Sequence, residues 1–218
     1  ALAILPLLPR CFMFSKTSFS LASSMALAAF SILTVSAQAD TIYMIDGTVI
    51  EDVTVQSELL DFVIYRVDAK TQTASSDAIL FVEFSSKPLD VDQADAAIAD
   101  EMLLDALDGL ESFLAGMTEP PRRKPWSFAY ALYRLVQVHE IMGEWDKVIA
   151  TVDHLIVIQP DSRYVPLAQM RKIQALSDSG KDPASAIAAF KEMINAKGLG
   201  DRWRIEADLS SVIHDGTL

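Results

Sequence analysis

The sequence predicts an α+β chain in two segments: a small β domain, then an all-α array of helical hairpins. Three observations carry this. Apolar residues alternate with a period of two from Ile42 to about Ser86. From Asp90 onward they recur at three- and four-residue spacing. Gly and Pro turns then cut that second stretch into paired pieces of helix length. The predicted boundaries are a leader over 1–39, a small β domain over 40–86 and helices over 91–214.

Composition narrows the function classes. The chain has 218 residues, 51% of them apolar and 22% charged, which suits a packed core and argues against wholesale disorder. The net charge is −12, and all 30 acidic residues follow Ala39. Nucleic-acid binding rests on clustered Lys and Arg, so this balance excludes it. The one basic run, Arg122-Arg123-Lys124, is expected to be a solvated loop; the other reading is a patch for an acidic partner or an anionic membrane. The single cysteine, Cys11, falls in the leader. A body without cysteine excludes disulfides and thiol catalysis, and suits an oxidising compartment.

The leader reads as a secretory signal peptide. Lys16 supplies a positive start, Ala26 to Ser36 an apolar stretch, and Ala37-Gln38-Ala39 a small-x-small cleavage pattern before Asp40. Met13 is a candidate start. Cys11 is a poor lipid-attachment site, since Pro9 and Arg10 precede it. The alternative is an uncleaved anchor from Phe19 to Ala39. Ser residues dot that run and no basic cluster follows it, so the expectation is an exported, periplasmic or extracellular protein. Any membrane association would come only through the uncleaved leader.

In the β segment, Ile42 and Met44 alternate with Tyr43 and Ile45, and Asp46-Gly47 is a hairpin turn signal. Val49, Ile50, Val53 and Val55 follow, then Phe62 to Val67, a turn at Asp68 to Thr71, a short return strand to Ser75, and Ile79 to Phe84. Five short strands bury little unless they curl into a barrel or pack on something else. Asp77 is expected to cap a turn. The run Ile42 to Val53 resembles a small SH3-like or Sm-like barrel. That resemblance implies a docking or spacer module without catalytic residues.

The helical segment begins with Ala94 to Ala115, where Leu103, Leu107, Leu110 and Leu114 make one apolar stripe. The prolines between Thr118 and Pro125 break it. Trp126 to Met142 is periodic through Leu132, Leu135, Val136 and His139, and Gly143 ends it as a C-cap. Asp146 to Ile158 presents Val148, Val152 and Leu155, with Pro160 as the stop. Val165 to Leu176 and Ala184 to Asn195 pair across a turn at Ser179 to Pro183. Trp203 to Ile213 closes the array as a solvating cap, using Ile205, Leu209 and Val212 for its inner face.

These hairpins resemble tetratricopeptide repeats, a family with 34-residue units. From Ala129, the match reads Leu132 and Leu135 in the first helix, Gly143-Glu144-Trp145-Asp146 at the turn, Val148, Val152 and Leu155 in the second helix, and Pro160 at the end. The next unit has Gly180 at its turn, 37 positions after Gly143, then Ala186, Phe190 and Met193. The first unit keeps Ala106, Leu110 and Phe113, with Glu101 where the turn glycine is expected. One hairpin cannot cover its own apolar face, so neighbours stack and share a core.

Candidate chemistry is sparse. His139, His154 and His214 are the only histidines, and none pairs at metal-ligand spacing. Asp90, Asp92, Asp95, Asp100, Glu101, Asp105, Asp108 and Glu111 lack the alternating oxygen-ligand loop of a calcium site and are expected to form a solvated helix face. There is no nucleophile elbow, phosphate-cradling loop or dinucleotide fingerprint. The expectation is therefore a non-enzymatic chain with no cofactor and no metal, holding a protein partner. The tetratricopeptide resemblance implies that first-helix side chains line a groove for a partner peptide or helix. It nominates Tyr130, Tyr133, Gln137 and Glu140 as partner-binding residues. The other expectation for these four is packing on the β domain. Two further functional readings stand beside the first: an enzyme or small-ligand binder with a site between the β domain and the helices, and a self-assembling homo-oligomer.

Overall fold

Alternation of apolar and polar side chains builds one antiparallel sheet from β1 (Asp40–Met44), β2 (Val49–Glu58), β3 (Phe62–Val67), β4 (Lys70–Ser75) and β5 (Ile79–Glu83). These elements come from a computed structural model that describes residues 39–216. The leader predicted over 1–39 lies outside the described residues, apart from Ala39. The strand order is β4-β3-β2-β1-β5, so the first strand lies between the second and the last. The Asp46-Gly47 turn joins β1 to β2, with the Thr48 amide donating to Asp46 Oδ1 at 2.9 Å. A one-turn helix, Ser76–Ala78, precedes β5. There Ser75 Oγ donates to Asp77 Oδ1 at 2.5 Å; the bond joins two side chains, and no side chain among the described residues caps the turn's backbone, unlike the role expected of Asp77.

The inward face of the sheet is Ile42, Val53, Val55, Val63, Tyr65, Ile79 and Val82, with Phe84 just beyond β5. Trp126 covers this face, its ring stacked on Phe84 at 3.5 Å between centroids. Asp40 is buried because its carboxylate has backbone work. Oδ2 accepts from the Val55 amide at 2.8 Å and Oδ1 from the Ser85 amide at 2.9 Å. Both neighbours of β1 are thereby tied to its start, β2 through Val55 and the end of β5 through Ser85.

Seven helices follow: α1 (Leu89–Ala99), α2 (Leu103–Leu114), α3 (Trp126–Ile141), α4 (Trp145–Ile158), α5 (Tyr164–Asp178), α6 (Ala184–Lys197) and α7 (Asp201–His214). Each packs on the next, and the odd-numbered helices also touch in series, α1 on α3, α3 on α5 and α5 on α7. The inner faces agree with the sequence stripes for α3 and α4, where Leu132, Leu135, Val136, His139, Val148, Val152 and Leu155 are all buried.

Two expectations are corrected. The continuous helix expected from Ala94 to Ala115 is two helices, α1 ending at Ala99 and α2 carrying the Leu103 to Leu114 stripe, with Glu101 between them in the left-handed region at φ 61°. The inner face of α7 is also different. Ile205 and Leu209 are exposed, while Trp203 and Ala207 are buried. Trp203 and Ala207 pack into the main helical core, two positions before the Ile205 and Leu209 chosen on hydropathy alone.

The sheet rests on the N-terminal ends of the odd helices. Trp126, the first residue of α3, belongs to the sheet core. Leu60, at the β2–β3 connection, enters the helical core instead, and its amide donates to the Asp161 carbonyl at 2.7 Å just ahead of α5. Arg202, in the first turn of α7, donates to the carbonyls of Asp77 and Ile79 at 3.3 and 3.4 Å. Gly200 lets the backbone come this close, since a Cβ there would lie 1.8 Å from Asp77 Oδ2.

Candidate functional site

Because the sheet sits at one end of the odd helices, a cleft of about 600 Å3 opens between β5 and the faces of α1, α3 and α5. Its walls include Leu80, Phe81 and Glu83 on one side and Tyr130, Tyr133, Arg134 and Gln137 on the other. Tyr164 and Leu167 of α5 close the far end.

Three tyrosines from two helices make the apolar part of this surface. Tyr133 stacks on Tyr164 with centroids 5.2 Å apart, and Tyr130 meets Tyr164 edge-on at 5.9 Å. Tyr130 also meets Phe84 and Trp126 edge-on, so it joins the cleft to the sheet core. Burial, together with the neighbouring Asp95 carboxylate, pushes the Tyr130 hydroxyl well above its ordinary range. It therefore stays a proton donor, giving its hydrogen to Asp95 Oδ2 at 2.6 Å.

Asp95 is the polar centre. Lys87 Nζ lies 2.5 Å from Oδ2, and Arg134 Nε donates to Oδ1 at 2.6 Å. Asp92 Oδ1 lies 3.9 Å from Lys87 Nζ as well, so two cations and two carboxylates balance, with Asp95 shared between both cations. Arg134 also donates to Gln137 Oε1 at 2.8 Å. Arg171 Nε donates to the Tyr133 hydroxyl at 3.1 Å, and its guanidinium pairs with Glu140.

Beside the cleft lies a buried charge pair. Arg163 Nε binds Glu58 Oε1, and Tyr164 donates its hydroxyl to Oε2 at 2.8 Å. Burial raises the Glu58 carboxyl above its ordinary range, against the pull of Arg163 and Tyr164. Burial alone would lower Arg163; Glu58 and Tyr164 together outweigh it, and the net direction is upward. With both oxygens engaged, Glu58 holds β2 onto the start of α5.

The four nominated residues therefore divide. Tyr130, Tyr133 and Gln137 line the cleft; Glu140 does not and is committed to Arg171. Tyr130 also packs on the β segment, as the second expectation had it. Sequence reasoning missed Asp95, Lys87, Arg134 and Tyr164. Asp95 was placed on a solvated helix face, yet its side chain is 12% exposed. No local spacing signals this, because the partners of Asp95 come from beyond its own helix turn. His139 is buried in the helix core, with Nδ1 2.7 Å from Glu144 Oε2 at the end of α3, while His154 is exposed. The loop Arg122-Arg123-Lys124 lies on no wall of the cleft.

No helix among the described residues is long and apolar enough to cross a membrane. No family model matches the chain, and no curated protein matches it.

Proposed function

We propose that this chain is a non-enzymatic protein-binding module whose site is the cleft between β5 and the inner helices. The observation that carries it is the convergence of Tyr130, Tyr133 and Gln137, nominated as groove residues, on one concave surface with Tyr164 and Arg134. Tyrosine offers a large contact area with few rotors to immobilise, and Arg adds bidentate hydrogen bonding; both are enriched where binding energy concentrates. In the same reading the helices are tetratricopeptide-like hairpins on a curled, barrel-like sheet, and the protein works outside the cytoplasm among other envelope proteins. Gly143 and Gly180, both left-handed at φ 71°, support the hairpins, since that backbone conformation closes a helix and reverses the chain at little strain. Register shifts within β1 and β2 support the curl, because a bulge bends a strand.

Photo-cross-linking tests the site. A benzoylphenylalanine replaces Tyr133 in one variant and Val157 in another; Val157 is 74% exposed on α4 and lines no wall of the cleft. A discrete protein adduct at position 133, absent at 157 and lost when Gln137→Ala is added, is the expected result. No adduct at 133, or the same adducts at both positions, overturns the proposal.

A further inference from the structure

β5 is an edge strand with β1 on one side and no strand on the other among the described residues. Leu80 and Phe81 on it are 55% and 46% exposed, large apolar side chains on a strand whose backbone is half-paired. Such an edge ordinarily carries charges, a proline or a covering segment that blocks further pairing. β5 reads Ile-Leu-Phe-Val-Glu, with a single charge at its end. Its first carbonyl, that of Ile79, has a long bond from Arg202.

The surroundings of this edge are open on both sides of Leu80. The cleft described above begins at Leu80 and runs past Phe81, Val82 and Glu83. A second cleft of about 650 Å3 begins at the same residue and runs the other way, past Ala78 and Ile45 to Arg202 and Glu206 of α7. An extended chain laid along β5 would therefore meet backbone donors and acceptors at its centre and a depression toward each end. Successive side chains of a strand point to opposite faces, so alternate residues of that chain would enter the clefts.

The donors in the first cleft specify the occupant further. Asp95 already accepts from Lys87, Tyr130 and Arg134, and the other carboxylate near Lys87, that of Asp92, stands at the longer distance of 3.9 Å. The nearest other wall carboxylate, Glu83, is held by the Tyr43 hydroxyl at 3.0 Å. Arg134 directs Nε to Asp95 and Nη1 to Gln137, so a carboxylate brought in by a partner would take its Nη2 donors and Lys87 Nζ by charge-assisted hydrogen bonds.

We propose that β5 accepts an extended partner segment as a sixth strand, and that an acidic side chain of that segment pairs with Lys87 and Arg134. This rests on the cleft being the binding site, and adds the backbone mode and the chemistry of the ligand. A free small carboxylate and a second copy pairing β4 with β5 are the competing occupants.

The test uses the full chain and labelled synthetic peptides of about eight residues, in which Val, Ile or Phe alternates with Thr and one Glu is placed at each position in turn. Anisotropy should detect binding for at least one Glu position. N-methylation of alternate peptide amides should weaken it by about tenfold or more, as expected when main-chain hydrogen bonds are removed. Changing the Glu to Gln should weaken binding severalfold, and Lys87→Gln or Arg134→Gln should erase that preference. Hydrogen exchange should slow at β5 and not at β4. No binding by any peptide, equal binding of the methylated form, or protection at β4 overturns strand addition. Displacement by acetate alone points to a small-anion site, and a concentration-dependent doubling of mass points to self-pairing; either also overturns it. Equal binding of the methylated peptide leaves the cleft itself standing, whereas a missing adduct at position 133 removes the cleft.

Discussion

At the residue scale, the strongest demand in this molecule is the burial of Glu58, Arg163 and Tyr164 together. The Arg163 and Glu58 side chains are 4% and 1% exposed, so neither charge can recover hydration if its partner is lost. Removing one member of a buried pair typically costs about 3–5 kcal/mol. Arg163→Met should fall in that range at neutral pH. The pH dependence has a definite sign. The folded pKa of Glu58 is raised by burial, and without Arg163 it rises further. A carboxyl with a raised folded pKa contributes stability that is complete below the unfolded value. That contribution is lost as pH rises from the ordinary carboxylate range through the raised folded value. Urea unfolding at pH 4 and pH 7 should therefore show a smaller gap between variant and wild type at the lower pH. An equal gap at both would mean that Glu58 is not the group left unpaired. None of this was legible in the sequence, because Glu58 and Arg163 stand 105 positions apart and neither belongs to a motif. Tyr133 came instead from the tetratricopeptide resemblance, which nominated it for a groove, and it lines the cleft.

At the scale of elements, periodicity located nearly every strand and helix, since burial of one face is what each element is for. It failed where a residue type departed from its usual place. Glu101 occupies a left-handed position between α1 and α2 that glycine adopts without strain. Its Cβ adds a local cost, and without a glycine periodicity alone ran one helix from Ala94 to Ala115, although the repeat resemblance put the turn at Glu101. Glu101→Gly should then stabilise the chain by about 0.5–1 kcal/mol, the reverse of glycine's usual effect. In a chain of this size that corresponds to a rise of roughly 1–4 °C in Tm, readable by calorimetry. A fall in Tm would show that contacts of the exposed Glu101 side chain outweigh the strain. The misassigned face of α7 has a related cause. Ile205, Leu209 and Ile213 are the more hydropathic residues, yet Trp203 and Ala207 face the core. The start of α7 is held against the sheet by Arg202 on the Asp77 carbonyl and by Gly200 beside the Asp77 side chain, contacts that span more than a hundred positions of sequence.

For the whole molecule, the question left open by sequence was whether sheet and helices behave as one body, since Pro88 allowed either a hinge or a packed junction. The contacts favour shared stability. Phe84 of the sheet core stacks on Trp126 of α3, Leu60 of the β2–β3 connection sits within the helical core, and Glu58 is locked to the start of α5. The described residues cluster accordingly as one unit. Neither segment can then open without exposing part of the other's core, and the cleft between them depends on both. Phe84→Ala tests this at the junction. Truncating a buried aromatic typically costs about 3–5 kcal/mol, and a shared core spreads that loss over every element. Native-state hydrogen exchange should show the amides of β2 and β3 and those of α5 losing protection by the same amount in the variant. If the sheet amides lose protection while α5 keeps its own, the two segments open independently. The cleft would then be a surface that closes and opens with the sheet, and Tyr133 would reach its partner from a helical array able to stand alone.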